Sequence, residues 1–110
     1  MNEPGFYKGK HYTKYVDMVK YLIKENKLED AEKLLLELVS ATEDESKHNK
    51  YGVAPWYYER LAVIYRKKKD TKSEIGILER FSNQKHAPGA TPPKLLARLE
   101  KLKSSNQEFR

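Results

Sequence analysis

Apolar residues recur at helical spacing in five segments of this chain, and polar residues fill the positions between them. In each segment the apolar side chains lie three or four positions apart, so they line one face of an α-helix. No segment alternates with the period of two that a half-buried strand needs. The sequence therefore predicts an all-α protein of about five helices. The apolar stripes are Tyr15, Met18, Val19 and Leu22; Ala31, Leu34, Leu35, Leu38 and Val39; Tyr58, Leu61, Ala62 and Tyr65; Ile75, Leu78 and Phe81 or Ser82; and Leu95, Leu96, Leu99 and Leu102.

Polar and turn residues indicate where these helices begin and end. Asn26 and Lys27 interrupt the pattern so briefly that the first two helices are expected to be antiparallel neighbours. Pro55 suits the first turn of the third helix, because its missing N–H costs nothing there. Thr71 and Glu74 have the spacing of a capping box, in which each side chain satisfies the other's backbone N–H. We therefore expect the fourth helix to begin at Thr71.

The two hairpins that these helices form repeat each other in sequence. Seven positions recur with identical spacing and a constant offset of 43 residues. Each unit consists of a helix, a short turn and a second helix. The first unit supplies Tyr15, Met18, Val19, Leu22, Ala31, Leu35 and Leu38, and the second supplies Tyr58, Leu61, Ala62, Tyr65, Glu74, Leu78 and Phe81.

The repeated unit resembles the tetratricopeptide repeat (TPR). Asn26–Glu32 looks like that family's inter-helix turn, and Tyr57–Tyr65 looks like its first helix. The resemblance covers residues 13–82, but the offset exceeds the family's period of about 34, so about nine residues are inserted after the first unit's core. Glu74 also stands where the family has a small residue at the helix crossing. We expect Gly76, inside the fourth helix, to supply the missing space.

A stack of only two hairpins leaves apolar faces that something else must cover. We expect the fifth helix to cap the second hairpin, and Phe6, Tyr7 and Tyr12 to cover the first. A homodimer is the alternative to a monomer covered in this way. The predicted single domain, 1–110, divides into an N-terminal arm (1–12), a first hairpin (13–48), a loop (49–54), a second hairpin (55–83), a capping helix (91–103) and a frayed tail (104–110).

Composition argues against several functional classes. The chain has no cysteine, so thiolate nucleophiles and Cys-based zinc sites are excluded. The three histidines, His11, His48 and His86, are far apart, and no glycine-rich phosphate loop follows a predicted strand. No apolar run approaches the roughly 20 residues of a membrane helix, and the start lacks a signal-peptide pattern. We expect a cytoplasmic protein that is not an enzyme, with no membrane association, metal or cofactor.

The positive charge of the chain lies entirely in its second half. The net charge is +6; residues 1–50 hold 9 basic and 10 acidic residues, whereas residues 51–110 hold 13 basic and 6 acidic residues. Such asymmetry indicates either an anionic partner or a lysine-rich solvated surface. One hypothesis is therefore a nucleic-acid-binding accessory protein. Its candidate anion-binding residues are Arg60, Lys68, Lys69, Lys72 and Arg80.

The TPR resemblance implies a different function, the binding of a protein or peptide in a groove lined by the first helix of each hairpin. An aromatic side chain beside basic residues suits an acidic or aromatic peptide. Trp56 either lines this groove or packs on the insertion at 42–52. A protein-binding adaptor of this kind is the leading hypothesis. By aligned position the groove residues are Lys20, Ile23 and Lys24, with Thr13 and Val16, from the first helix, and Trp56, Glu59, Val63, Arg66 and Lys67 from the third.

Overall fold

The structure, a computed structural model, describes residues 3–108, with side chains as far as Ser105. Within that range the chain is all-α apart from one very small sheet, as the sequence predicts. The elements are β1 (Phe6–Tyr7), β2 (Lys10–His11), a 3₁₀ turn (Tyr12–Tyr15), α1 (Val16–Lys24), α2 (Leu28–Asn49), α3 (Pro55–Lys67), α4 (Thr71–Ser82) and α5 (Thr91–Glu108).

The N-terminal arm forms a β-hairpin that the sequence pattern did not predict. β1 pairs antiparallel with β2, with Phe6 opposite His11. Lys8 and Gly9 between them both have positive φ, as the favoured two-residue hairpin turns require. Strands of two residues are too short to show alternation, which is why the pattern missed them. The arm nevertheless packs on the first hairpin as expected, since Tyr12 is buried and Tyr7 lies against the core.

Helices α1 to α4 run alternately in opposite directions, and polar contacts mark their register. Tyr58, early in α3, donates to Glu43, late in α2, whereas Tyr65, late in α3, donates to Glu32, early in α2. The rings of Tyr58 and Phe81, late in α4, lie 5.1 Å apart. Consecutive helices are therefore antiparallel. α3 is the central element, because it packs on α2, α4 and α5.

The fourth helix begins at Thr71, as expected, but its cap differs from the prediction. Its N-cap is Asp70, whose side chain accepts a hydrogen bond from the Ser73 N–H at 3.1 Å. That hydrogen bonding by Ser73 lowers the pKa of the Asp70 carboxyl below its usual value. The capping box of Thr71 and Glu74 is wrong, because Glu74 points into the molecule and is only 2% exposed. Aspartate is as good an N-cap residue as threonine, so the sequence alone did not separate the two.

Two further predictions about packing are wrong. Gly76 does not provide space at the helix crossing, since a Cβ atom built on it would meet no atom within 4 Å. Met18 does not belong to a buried stripe, because it is 52% exposed. The helix predicted to end at residue 103 continues to Glu108, and residues 109–110 of the predicted tail lie outside the described residues. In the described residues no helix is both long enough and apolar enough to span a membrane.

Candidate functional site

The central helix α3 presents two faces of different character. Its inner face is buried and includes Tyr57, Tyr58, Leu61, Ala62, Ile64 and Tyr65. Its opposite face contains Trp56, Arg60, Val63 and Lys67, which are spaced so that they follow one line along the helix. Glu59 flanks that line. We call these five residues the α3 outer face.

An aromatic ring and a guanidinium group contact each other on the α3 outer face. Trp56 is half-buried, with its ring edge-on to Tyr57 at a centroid distance of 5.0 Å. Arg60 lies one helical turn later, with its guanidinium carbon 6.0 Å from the centre of the Trp56 ring. Val63, one turn further on, is half-buried as well. The face therefore combines apolar area with positive charge, as cation–π pairs do at recognition surfaces.

Arg60 is only partly satisfied by its own chain. A terminal nitrogen lies 3.4 Å from Glu59, which is a long ion pair between half-exposed side chains. Its Nε is buried and has no hydrogen-bond acceptor, a feature that no other side-chain nitrogen or oxygen of the described residues shares. A buried donor without an acceptor costs about 1–3 kcal/mol.

The groove residues predicted for the first helix lie on α1, a different helix from the one that carries the α3 outer face. Lys20 and Lys24 are exposed, and Ile23 is half-buried against the core. α1 packs on α2 and on the 3₁₀ turn. The 3₁₀ turn before α1 meets α3 through Tyr12, whose backbone oxygen accepts from the Tyr57 hydroxyl at 3.3 Å and whose ring is edge-on to Tyr57.

Arg66, predicted for the groove, instead binds the buried carboxylate of Glu74. Its Nε and a terminal nitrogen donate to Glu74 at 3.2 and 3.1 Å. Arg98 of α5 donates to the same carboxylate at 2.9 and 3.3 Å. Two arginines from the flanking helices therefore neutralise one glutamate of α4. The sequence indicated this only through a charged residue at an aligned core position, without showing which cations would reach it.

Three of the five cations proposed for nucleic-acid binding also contact carboxylates of the chain. Arg80 binds Glu43 with two hydrogen bonds of 2.8 and 2.9 Å, which raises the pKa of the guanidinium. Lys68 lies 3.3 Å from Glu32, and Arg60 contacts Glu59 as described above. Lys69 and Lys72 are exposed. The excess charge of the second half is thus partly neutralised by glutamates of α2, so these residues do not form one uninterrupted cationic surface.

The tyrosines of α3 are buried with their hydroxyls in use. Tyr58 donates to Glu43 at 2.7 Å and Tyr65 to Glu32 at 2.8 Å. Burial, reinforced by the neighbouring carboxylates, raises the pKa of both phenols. Burial also raises the pKa of Tyr57 to about 12. The hydroxyls of Tyr58 and Tyr65 thus hold α3 on α2, and that of Tyr57 holds α3 on the 3₁₀ turn.

The depressions on the surface of the described residues are open to solvent. One, of about 460 Å³, lies between the arm and α2 and includes Phe6, Tyr7 and Lys47. Another, of about 530 Å³, lies over α4 at Gly76. In the described part of the chain no group of three or more histidine, aspartate or glutamate residues is arranged to hold a metal ion.

Comparison with known proteins adds no constraint. No family model matches the chain, and neither a curated protein nor a solved structure matches it. The functional interpretation therefore rests on the residues themselves.

Proposed function

We propose that this chain is a non-enzymatic, TPR-like interaction module that binds an acidic, partly apolar peptide segment of another protein through the α3 outer face. The observation that carries the proposal is the pair of Trp56 and Arg60. A half-buried ring and a guanidinium lie in contact, and the guanidinium has a buried Nε without an acceptor. Lys67 adds positive charge on the same side.

The chemistry of the partner follows from this combination. Apolar side chains of the partner would cover Trp56 and Val63, and a carboxylate would replace the long contact between Arg60 and Glu59. Tryptophan and arginine are the residue types that most often dominate binding energy at protein interfaces. Lys20 and Lys24 on α1 would extend the positive surface if the peptide reaches that helix.

The test is capture of protein partners from the native lysate, with and without nuclease. We expect nuclease-resistant capture that Trp56→Ala and Arg60→Gln each reduce at least about tenfold, the effect of losing roughly 1.4 kcal/mol. Tyr51→Ala is the matched control, because Tyr51 is an aromatic residue 78% exposed outside this face. Its capture should equal that of the wild type.

Two results would contradict the proposal. Equal capture by the wild type and both variants would remove the α3 outer face as the site. Capture that nuclease abolishes, together with retardation of RNA or DNA at low salt, would favour the nucleic-acid hypothesis. Charge reversal at Lys20 and Lys24 tests the α1 extension separately, and unchanged capture would confine the site to α3.

A further inference from the structure

Gly76 is an unexplained feature of the fold. It lies in the middle of α4, where glycine is less favourable than alanine. Its φ is not in the left-handed region, and a Cβ atom there would meet nothing within 4 Å. Nothing inside this chain requires a glycine at this position. The other common reason for a helical glycine is the close approach of a second backbone from outside.

The surface around Gly76 is open on both sides. A depression of about 530 Å³ on one side includes Lys72, Ile75 and Glu79. A depression of about 240 Å³ on the other side includes Ser73 and Arg80, and Gly76 borders both. The helix thus presents a low central point between two recesses, into which side chains of a crossing helix would fit.

Opposite charges flank Gly76 on one side of the helix. Lys72 precedes Gly76 by four residues and Glu79 follows it by three, so both lie on one side of the helix, about 40° and 60° round from Gly76. On the other side Ser73 precedes Gly76 and Arg80 follows it. When two such helices cross antiparallel at their Gly76 residues, Lys72 of each copy faces Glu79 of the other. Ser73 faces Arg80, so no like charges meet.

We propose that the chain forms a homodimer in which the α4 helices of two copies cross antiparallel at Gly76. The two-fold axis makes the contact isologous, so each ion pair between Lys72 and Glu79 occurs twice. Glu79 contacts Lys103 within its own chain at 3.7 Å, with both side chains about half exposed. A pair of that kind contributes little, so Glu79 can exchange it for Lys72 of the second copy. None of the residues of the α3 outer face lies on α4, so this interface does not depend on the proposed function.

Sedimentation across a range of protein concentrations tests the ionic part. Lys72→Glu and Glu79→Lys each place like charges opposite each other twice, and each should weaken dimerisation at least about tenfold, roughly 0.7 kcal/mol for each repeated pair. The double variant K72E/E79K restores opposite charges and should recover the dimer. Lys14→Glu and Glu25→Lys are controls with the same charge changes at exposed positions of the first hairpin. They should dimerise like the wild type.

Substitution of Gly76 tests the close approach. Gly76→Leu should weaken the dimer at least about tenfold, whereas Gly76→Ala should raise the thermal midpoint of the dilute monomer and weaken the dimer less. Circular dichroism confirms that each variant is folded. A chain that is monomeric at every concentration overturns the proposal. So does a dimer that survives both Gly76→Leu and Lys72→Glu, or a double variant that fails to recover.

Discussion

The two hairpins carry the same seven positions 43 residues apart, yet they are buried unequally. Tyr15 and Tyr58 are both buried, as are the aligned pairs in the second helices, including Leu35 with Leu78. Met18 is 52% exposed, whereas its counterpart Leu61 is fully buried. α3 packs between α2 and α4, but α1 packs on α2 and on the 3₁₀ turn, with no α-helix before it in the described residues. The repeated sequence pattern therefore determines which side chains share one face of a helix. The position of that helix among the others decides which of these side chains are buried.

The largest effect on stability is expected from a comparison of substitutions at the aligned positions Leu61 and Met18. Leu61→Ala should lower the free energy of unfolding by about 2–5 kcal/mol, because it leaves a cavity in the core. Met18→Ala should change it by less than about 0.5 kcal/mol, as surface substitutions do. Urea unfolding followed by circular dichroism measures both. Equal losses would mean that Met18 is covered, and the inequality of the hairpins would disappear.

The second prediction concerns Ala31 and Glu74, which are aligned but chemically unlike. Glu74→Gln keeps the volume and removes the charge that Arg66 and Arg98 share, so it should lower the free energy of unfolding by about 1–3 kcal/mol. This loss in the free energy of unfolding is smaller than for a fully buried ion pair, because both arginines are partly exposed. Thermal and urea unfolding provide the measurement. A neutral or stabilising result would show that the two arginines do not balance the cost of burying Glu74.

A smaller effect tests the beginning of α4 in the second hairpin. Asp70→Ala removes the side chain that caps the helix and should lower the urea midpoint. Thr71→Ala, the matched control at the neighbouring position, should cost much less, because Thr71 is exposed and makes no capping hydrogen bond in the described residues. Comparison of the two urea midpoints decides between them. A larger loss for Thr71→Ala would restore the capping box.

At neutral pH the tyrosines of α3 give the smallest of these effects on the free energy of unfolding, and their effect appears only at alkaline pH. Their pKa values are raised in the folded chain, to about 12 for Tyr57, so the folded state holds these protons more tightly than the unfolded state. The resulting stability is complete below the ordinary value of 10.0 and is lost as pH rises from there towards 12. Urea midpoints should therefore fall between pH 10 and 12. Tyr57→Phe should reduce that fall, and an identical pH profile in the variant would contradict the assignment.

Much of the architecture could be predicted from helical periodicity. The five helices, the short turn after α1 and the start of α3 at Pro55 follow from local spacing and turn residues, and the structure has them. The N-cap could not be fixed, because Asp70 and Thr71 are both acceptable caps one position apart. The short β-hairpin could not be predicted either, since two residues per strand carry no measurable period.

The candidate site was only partly predictable. Trp56, Val63 and Lys67 share one side of α3 because helical geometry alone places them there. The ion pair between Arg66 and Glu74 could not be predicted, because it forms only when α3 and α4 are packed together. The same holds for Arg80, whose carboxylate partner Glu43 lies 37 residues away.

The sequence by itself determined which faces of the helices are apolar, where the helices are interrupted and that the positive charge lies in the second half. Those properties depend on neighbours three or four residues apart, which any helix brings together. The tertiary structure decided which of the charges are neutralised, that Met18 stays exposed and that Gly76 faces open space. Each of these depends on a helix distant in the chain, or on the absence of one, and local spacing carries no information about that.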